Sequence, residues 1–214
     1  MSTARARILE ATAELLATKD ALAISTRAIC DRAGVGMPEI YRQFGDKQGL
    51  LTAVAEVGFE RFIANKRRNP LSADPVADLH TAWDSHVAFA TANPHLYRLM
   101  FTPTGQSRPR GPAEAQALLL TALERCRAAG LLRTPAESAA RAILSANVGV
   151  CLMALSFPDP FAAPQVSHAV RDAVIGDAVG RSANRAPADD RLASATALAH
   201  ALLETLTGTP TDGT

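Results

Sequence analysis

The stretch from Ser25 to Leu51 leaves its backbone few options, because a capping serine, a turn glycine, a proline and a capping aspartate follow one another in quick succession. The Ser25 hydroxyl can accept a backbone N–H that the first turn of a helix leaves unpaired. Ala28, Ile29 and Ala33 then form an inward face, with a small residue where another helix must cross closely. Gly34 takes the left-handed conformation cheaply, which makes Ala33-Gly34-Val35 a tight turn. Pro38 belongs in the first turn of the next helix, where a missing N–H costs nothing. That second helix, about Met37 to Gln43, is too short to bury much. Val35 and Ile40 must lean on neighbours, which leaves Glu39, Tyr41, Arg42 and Gln43 facing outward. The pattern predicts two short helices joined by a turn, with an exposed basic and aromatic surface suited to a DNA groove.

Such a pair needs a third helix to close its small core. Ile8, Leu9, Ala13, Leu15 and Leu16, between Thr3 and about Thr18, recur with helical spacing and supply it. After a turn at Phe44-Gly45, Asp46 caps a long helix through about Lys66. Leu50, Leu51, Val54, Val57, Phe59, Phe62 and Ile63 give it a broad apolar face. Lys66-Arg67-Arg68 and then Pro70 end it, since cations suit a helix C-terminus. A boundary near residues 66–74 follows, dividing the chain into 1–66 and 67–214.

Beyond it, helices are expected over Pro75–Asn93, His95–Phe101, Ala113–Ala129, from Thr134-Pro135 to about Phe157, over Gln165–Val179 and over Asp189–Leu206. Thr102–Pro112 holds Pro, Gly, Ser and Arg without periodicity and reads as a loop. The residues after Gly208 should fray. The helix through Ala142–Phe157 is apolar on nearly every side, so it is either deeply buried or held between two subunits.

A hydrophobic share of 48% is ample for a core, and no segment alternates with period two, so the chain is expected to be all-α. Net charge is only +1, but it is unevenly spread: through Pro70 there are 11 basic against 8 acidic residues, and beyond it 11 against 13. The asymmetry agrees with a DNA-facing N-terminal part. Glu10 and Glu14 interrupt any signal-like apolar run, and Ala142–Phe157 is short for a membrane span and contains Ser145 and Asn147. Cys30, Cys126 and Cys151 are odd in number and far apart, which suggests neither a disulfide framework nor a metal site and fits a reducing cytoplasm. HExxH, GxSxG, a Cys/His pairing and a clustered carboxylate pair are all missing, so an enzyme is not expected. Gly34-Val35-Gly36 begins like a dinucleotide fingerprint, but Glu39 takes the third glycine's place and no strand precedes it. The alternative is a helical protein-interaction adaptor, or a ligand-binding protein without DNA binding, which would leave Arg42 and Lys47 without purpose.

Leu15-Leu16, Ser25, Ala28-Ile29, Ala33-Gly34-Val35, Ile40-Tyr41, Phe44, Asp46-Lys47 and Leu50-Leu51 together resemble the N-terminal domain of the TetR family of transcriptional regulators, over about the first 65 residues. The resemblance implies phosphate contacts from Thr26, Tyr41 and Lys47, with Arg5 and Arg27 beside them, and base-edge contacts from Met37, Pro38, Arg42 and the backbone near Gly36. Gly36 departs from the Ser or Thr that the family often has there. Trp83 through Phe101 is similar to the WHG-type C-terminal domain of a TetR subset. The helix at Gln165–Val179 makes the end of the chain longer than that subset implies.

The family resemblance implies a helical body that binds a small, mostly apolar effector and dimerises through helices at about 135–157 and 189–206, with double-stranded operator DNA as partner, no membrane and no cofactor. Candidate pocket residues are His80, Trp83, His86, Phe89, Tyr97, Met100, Phe101 and Asn147. Of these, His80, His86 and Asn147 stand out, because a polar group on an apolar face needs a partner.

Overall fold

The computed structural model describes residues 3–68, 71–102 and 109–180. The expected Asp189–Leu206 helix, the linker before it, the frayed end and most of the 102–112 loop lie outside the described residues. The rest is all-α: α1 Ala4–Leu16, α2 Thr26–Ala33, α3 Met37–Phe44, α4 Lys47–Arg68, α5 Pro75–Ala92, α6 Pro94–Phe101, α7 Gly111–Ala128, α8 Ala136–Ser156, α9 Pro158–Phe161 and α10 Pro164–Ala178. Extended pairing among the described residues is limited to one isolated antiparallel bridge, Leu132 with Val179.

Local chemistry sets the first four helices. Thr3 accepts from the Ala6 N–H and starts α1, and Ser25 Oγ accepts from Ala28 N–H at 3.1 Å and starts α2. Gly34 ends α2 with φ +63°, where an L side chain would be strained. Gly36 caps α3 without a side-chain bond, as its missing hydroxyl requires. Asp46 Oδ1 accepts from Gly49 N–H at 2.7 Å in the first turn of α4. Gly49 answers a close approach, since a Cβ there would lie 2.1 Å from the Phe44 carbonyl oxygen. Ile8, Leu16, Ile24, Ile29, Ile40, Leu50 and Val54 close the core of this part, each fully or nearly buried. Burying each such side chain contributes about 1.5–3 kcal/mol.

The same core continues without a gap along α4 through Phe59, Phe62 and Ile63 to Leu99, Met100 and Ala115. Two glycines make this passage possible. A Cβ at Gly58 would meet Met100 Sδ at 2.9 Å, and one at Gly111 would meet the Phe59 ring at 1.9 Å, so α6 and the start of α7 sit close on α4. His95 at the start of α6 stands 4.0 Å from Asp20 in the α1–α2 connection. A second core joins α5, α7, α8 and α10 around Leu79, Trp83, Leu123, Ala140, Ile143 and Ile175.

Three sequence expectations change in this half. Helix α7 begins at Gly111 rather than Ala113. Pro135 rather than Thr134 occupies the N-cap of α8 and makes no side-chain bond. One helical turn, α9, stands where a plain break was expected before α10. Helix α8 is also not buried all round. At 21 residues with mean hydropathy 1.5 it is long and apolar enough to cross a membrane by length and composition alone, yet α5, α6, α7, α9 and α10, which pack against it, leave one face uncovered. Ala142, Ser145, Gly149, Met153 and Ser156 form an exposed stripe on that face.

Candidate nucleic-acid interface and adjoining cavity

Helix α3 buries Ile40 completely and turns Met37, Pro38, Tyr41 and Arg42 to solvent. Met37 is 40% and Tyr41 52% exposed, one turn apart on the same helix. Arg5, Arg27 and Gly36 are also exposed, while Thr26 and Lys47 are half-buried at the first turns of α2 and α4. All nine residues named for DNA binding therefore reach solvent on α1, α3 and the first turns of α2 and α4. A lysine at the N-terminal turn of a helix, as Lys47 is at the start of α4, suits a phosphate.

Two of the nine are less free than the sequence suggested. Arg42 donates to Glu39 through Nε at 3.0 Å and Nη2 at 2.5 Å, and Gln43 Nε2 donates to the same carboxylate at 2.9 Å. These bonds hold the Glu39 carboxyl below its ordinary range. Glu39, expected simply to face outward, thus orients the two side chains that follow it. Arg5 Nη1 donates to the Gln43 carbonyl at 3.3 Å and its guanidinium lies 4.6 Å over the Phe44 ring, so it braces the C-terminal end of α3. Arg32 pairs with Glu14 at 2.6 Å and ties α2 to α1.

At the other end of α4, Phe62 and Lys66 lie one turn apart and help line a cavity of about 260 Å³ between α4, α5, α7 and α8. Of the predicted pocket residues, Trp83, His86 and Asn147 line it. His80 does not: it is half-buried and lies near Asp172 on α10, whose carboxyl is held below the usual range chiefly by the bond from Arg171, with His80 a lesser contributor. Phe89 does not line it but packs at a tilt against Phe62, and Tyr97 does not line it but meets His86 edge-on. Met100 and Phe101 line a separate open groove with Gly149 and Leu152.

The buried polar groups around the cavity satisfy one another. The His86 Nε2 and Tyr97 hydroxyl are 2.8 Å apart, Trp83 Nε1 donates to Ser167 Oγ at 3.0 Å, and Asn147 Nδ2 donates to the Trp83 carbonyl at 3.4 Å. Burial pushes His86 down to about 3, so the imidazole is neutral, and lifts the Tyr97 hydroxyl well above its ordinary range. At the rim Asp78 is paired with Arg125.

Lys66 opens a basic run at a helix end, which masks it in the sequence. Its position one turn after Phe62, on the apolar face, is the signal that could have found it. Its Nζ donates to the Ala82 carbonyl at 2.6 Å and to Ser85 Oγ at 3.3 Å, and lies 5.0 Å over the Phe62 ring. Burial lowers it to about 8.

Comparison with known proteins agrees with this layout. The family model described as bacterial regulatory proteins, tetR family, matches residues 8–54, and one described as tetracyclin repressor-like, C-terminal domain, matches residues 79–175. No curated protein sequence matches.

Similar solved structures include SmeT, the repressor of the Stenotrophomonas maltophilia multidrug efflux pump SmeDEF. It is 22% identical over 85% of this chain and 93% of that one, with TM-score 0.66. The fatty acid degradation regulator FadR from Bacillus halodurans is 17% identical over 82% and 96%, with TM-score 0.65. A putative tetR family regulator from Shewanella sp. PV-4 is 18% identical over 84% and 100%, with TM-score 0.63. At these identities the structural likeness speaks for the fold, and the two family matches speak for the lineage. The chain belongs to the TetR family of ligand-responsive, DNA-binding transcriptional regulators.

Proposed function

We propose that the protein is a cytoplasmic repressor that binds a palindromic operator as a homodimer and lets go when a small, mostly apolar effector fills the cavity beside Trp83. The observation that carries this reading is the span of α4. One unbroken helix of 22 residues, about 33 Å long, begins at the Lys47 phosphate site and ends in the cavity wall at Phe62 and Lys66. An occupant that prefers one placement of the end of α4 biases the placement of α3, and the coupling is limited to its differential affinity for the two states. The division into residues 1–66 and 67–214 is then functional: one segment reads DNA and the other senses and dimerises, with α4 belonging to both.

In a two-fold dimer the paired recognition helices would sit about 34–36 Å apart, one turn of B-DNA, and the operator would be palindromic. The exposed stripe of α8 is a fitting dimer surface, with Met153 and Phe157 exposed at its end. Ala169, Ala173 and Gly176 of α10, which packs on α8, add a second row of small exposed residues. Pairing two helices from each subunit would give a four-helix interface. Within each half-site Arg42, released from Glu39, would make a bidentate contact to guanine. Lys47, Tyr41 and Arg27 would hold phosphates and read no sequence.

A gel-shift titration with genomic fragments at several salt concentrations tests the reading. Salt-sensitive binding of a subset of fragments by a folded dimer is expected. A folded chain that binds none, at any salt, would return the protein to the adaptor alternative.

A further inference from the structure

Resting on the reading of the Trp83 cavity as the effector site, we infer that its occupant is an apolar monocarboxylate whose anionic group sits against Lys66. The wall is mostly apolar, with Phe62, Leu79, Trp83, Leu118 and Ile143 among its members. Apart from the exposed Arg67, the other charged and polar side chains of its lining are answered from within the protein: Asn147 bonds Trp83, His86 bonds Tyr97, Asp78 pairs with Arg125, and Thr81 and Thr121 donate to carbonyls of their own helices.

Lys66 is the exception. It has three N–H donors and two neutral acceptors, the Ala82 carbonyl and Ser85 Oγ, and no carboxylate pairs with it among the described residues. A cation held inside an apolar site without a counter-ion is costly unless a charged partner arrives. Burial has already lowered this ammonium to about 8, and a bound anion would restore it. Exposed Arg67, which also lines the cavity, adds positive potential, so the site favours an anion over a cation. The volume of about 260 Å³ falls just under the range of small-molecule pockets, about 300–1,000 Å³, so the occupant is small and carries one charged end.

Trp83 lines this cavity and is the chain's single tryptophan, so its fluorescence reports occupancy directly. The full-length protein is titrated with octanoate and 3-phenylpropionate, with their neutral counterparts 1-octanol and 3-phenylpropanol, and with octylamine. At least one acid is expected to bind about tenfold more tightly than its alcohol and than octylamine. Lys66→Met is expected to erase that preference, and Lys66→Arg to keep it.

Equal affinity for acids and alcohols in the unaltered protein overturns the inference whether or not the variants fold. So does a preference for octylamine, a failure of both acids to move Trp83 emission, or a folded Lys66→Met that keeps the preference. A parallel gel shift separates the two readings. Acid binding at Lys66 that leaves the DNA shift unchanged supports the anion site while removing its role as effector site. Salt-sensitive DNA binding with no preference for acids leaves the regulator standing without the anion site.

Discussion

The two ends of α4 meet opposite surroundings. Near its start, Tyr41, Arg42 and Lys47 reach solvent, and the polar contacts there are surface ones, short-range along α3 for Glu39 with Arg42 and Gln43, and from α1 for Arg5 with the Gln43 carbonyl. Near its end, Lys66 and Phe62 face a cavity whose polar groups bond across helices far apart in sequence, as Trp83 does with Ser167. Exposed groups can be exchanged with little cost to the fold, because water replaces their partners. Buried ones cannot, because removing one partner strands the other. Changes at the DNA-facing end should therefore alter binding more than stability, and changes around the cavity should do the reverse.

Acid should strike the cavity end hardest. His86 is held down to about 3, whereas the unfolded chain takes its proton near 6.5, so unfolding takes up a proton between those values and stability is lost as pH falls through that window. Between pH 7 and pH 4 this group should cost about 3 kcal/mol in denaturant unfolding. His86→Gln, which can still bond Tyr97 but carries no charge, should remove most of that loss. An unchanged acid loss in the variant would break the assignment.

At the other end, Arg42→Ala should narrow the gap between preferred and substituted operators by about 1–3 kcal/mol while leaving the unfolding midpoint in place. A uniform loss across all sequences would show that Arg42 positions rather than reads. Gly34→Ala sharpens the contrast from within the same end. Nothing crowds the site, so its cost is purely conformational, about 1 kcal/mol of stability, with base preference unchanged wherever the chain is folded. Smallest of all, Lys47→Ala should weaken binding to every sequence alike and reduce the slope of log affinity against log salt by about one, with stability within ~0.5 kcal/mol of the parent.

The same contrast explains what could be read in advance. Ser25, Gly34, Pro38 and Asp46 act within a few residues of themselves, so the two short helices, their turn and the start of α4 are legible from local chemistry, and the nine residues named there are accessible to solvent. The cavity is assembled from four helices, and which face of each meets the others is set by packing at long range. Trp83, His86 and Asn147 were found because a bulky or polar group on an apolar face is conspicuous. His80 carried the same signal and faces α10 instead, and Lys66 was hidden by the arginines that follow it. The outer stripe of α8 shows a further limit: an apolar helix buried by its own chain and one with a face still uncovered have the same composition.

Coupling of the cavity to α3 through α4, as proposed, is tested most directly by thermodynamic reciprocity. The affinity of the best-binding acid is measured through Trp83 emission on the free protein and on the protein saturated with its operator. The operator is expected to weaken the acid by the same factor by which the acid weakens the operator, within the usual range of about 5–150-fold. Identical acid affinity with and without operator DNA would contradict it.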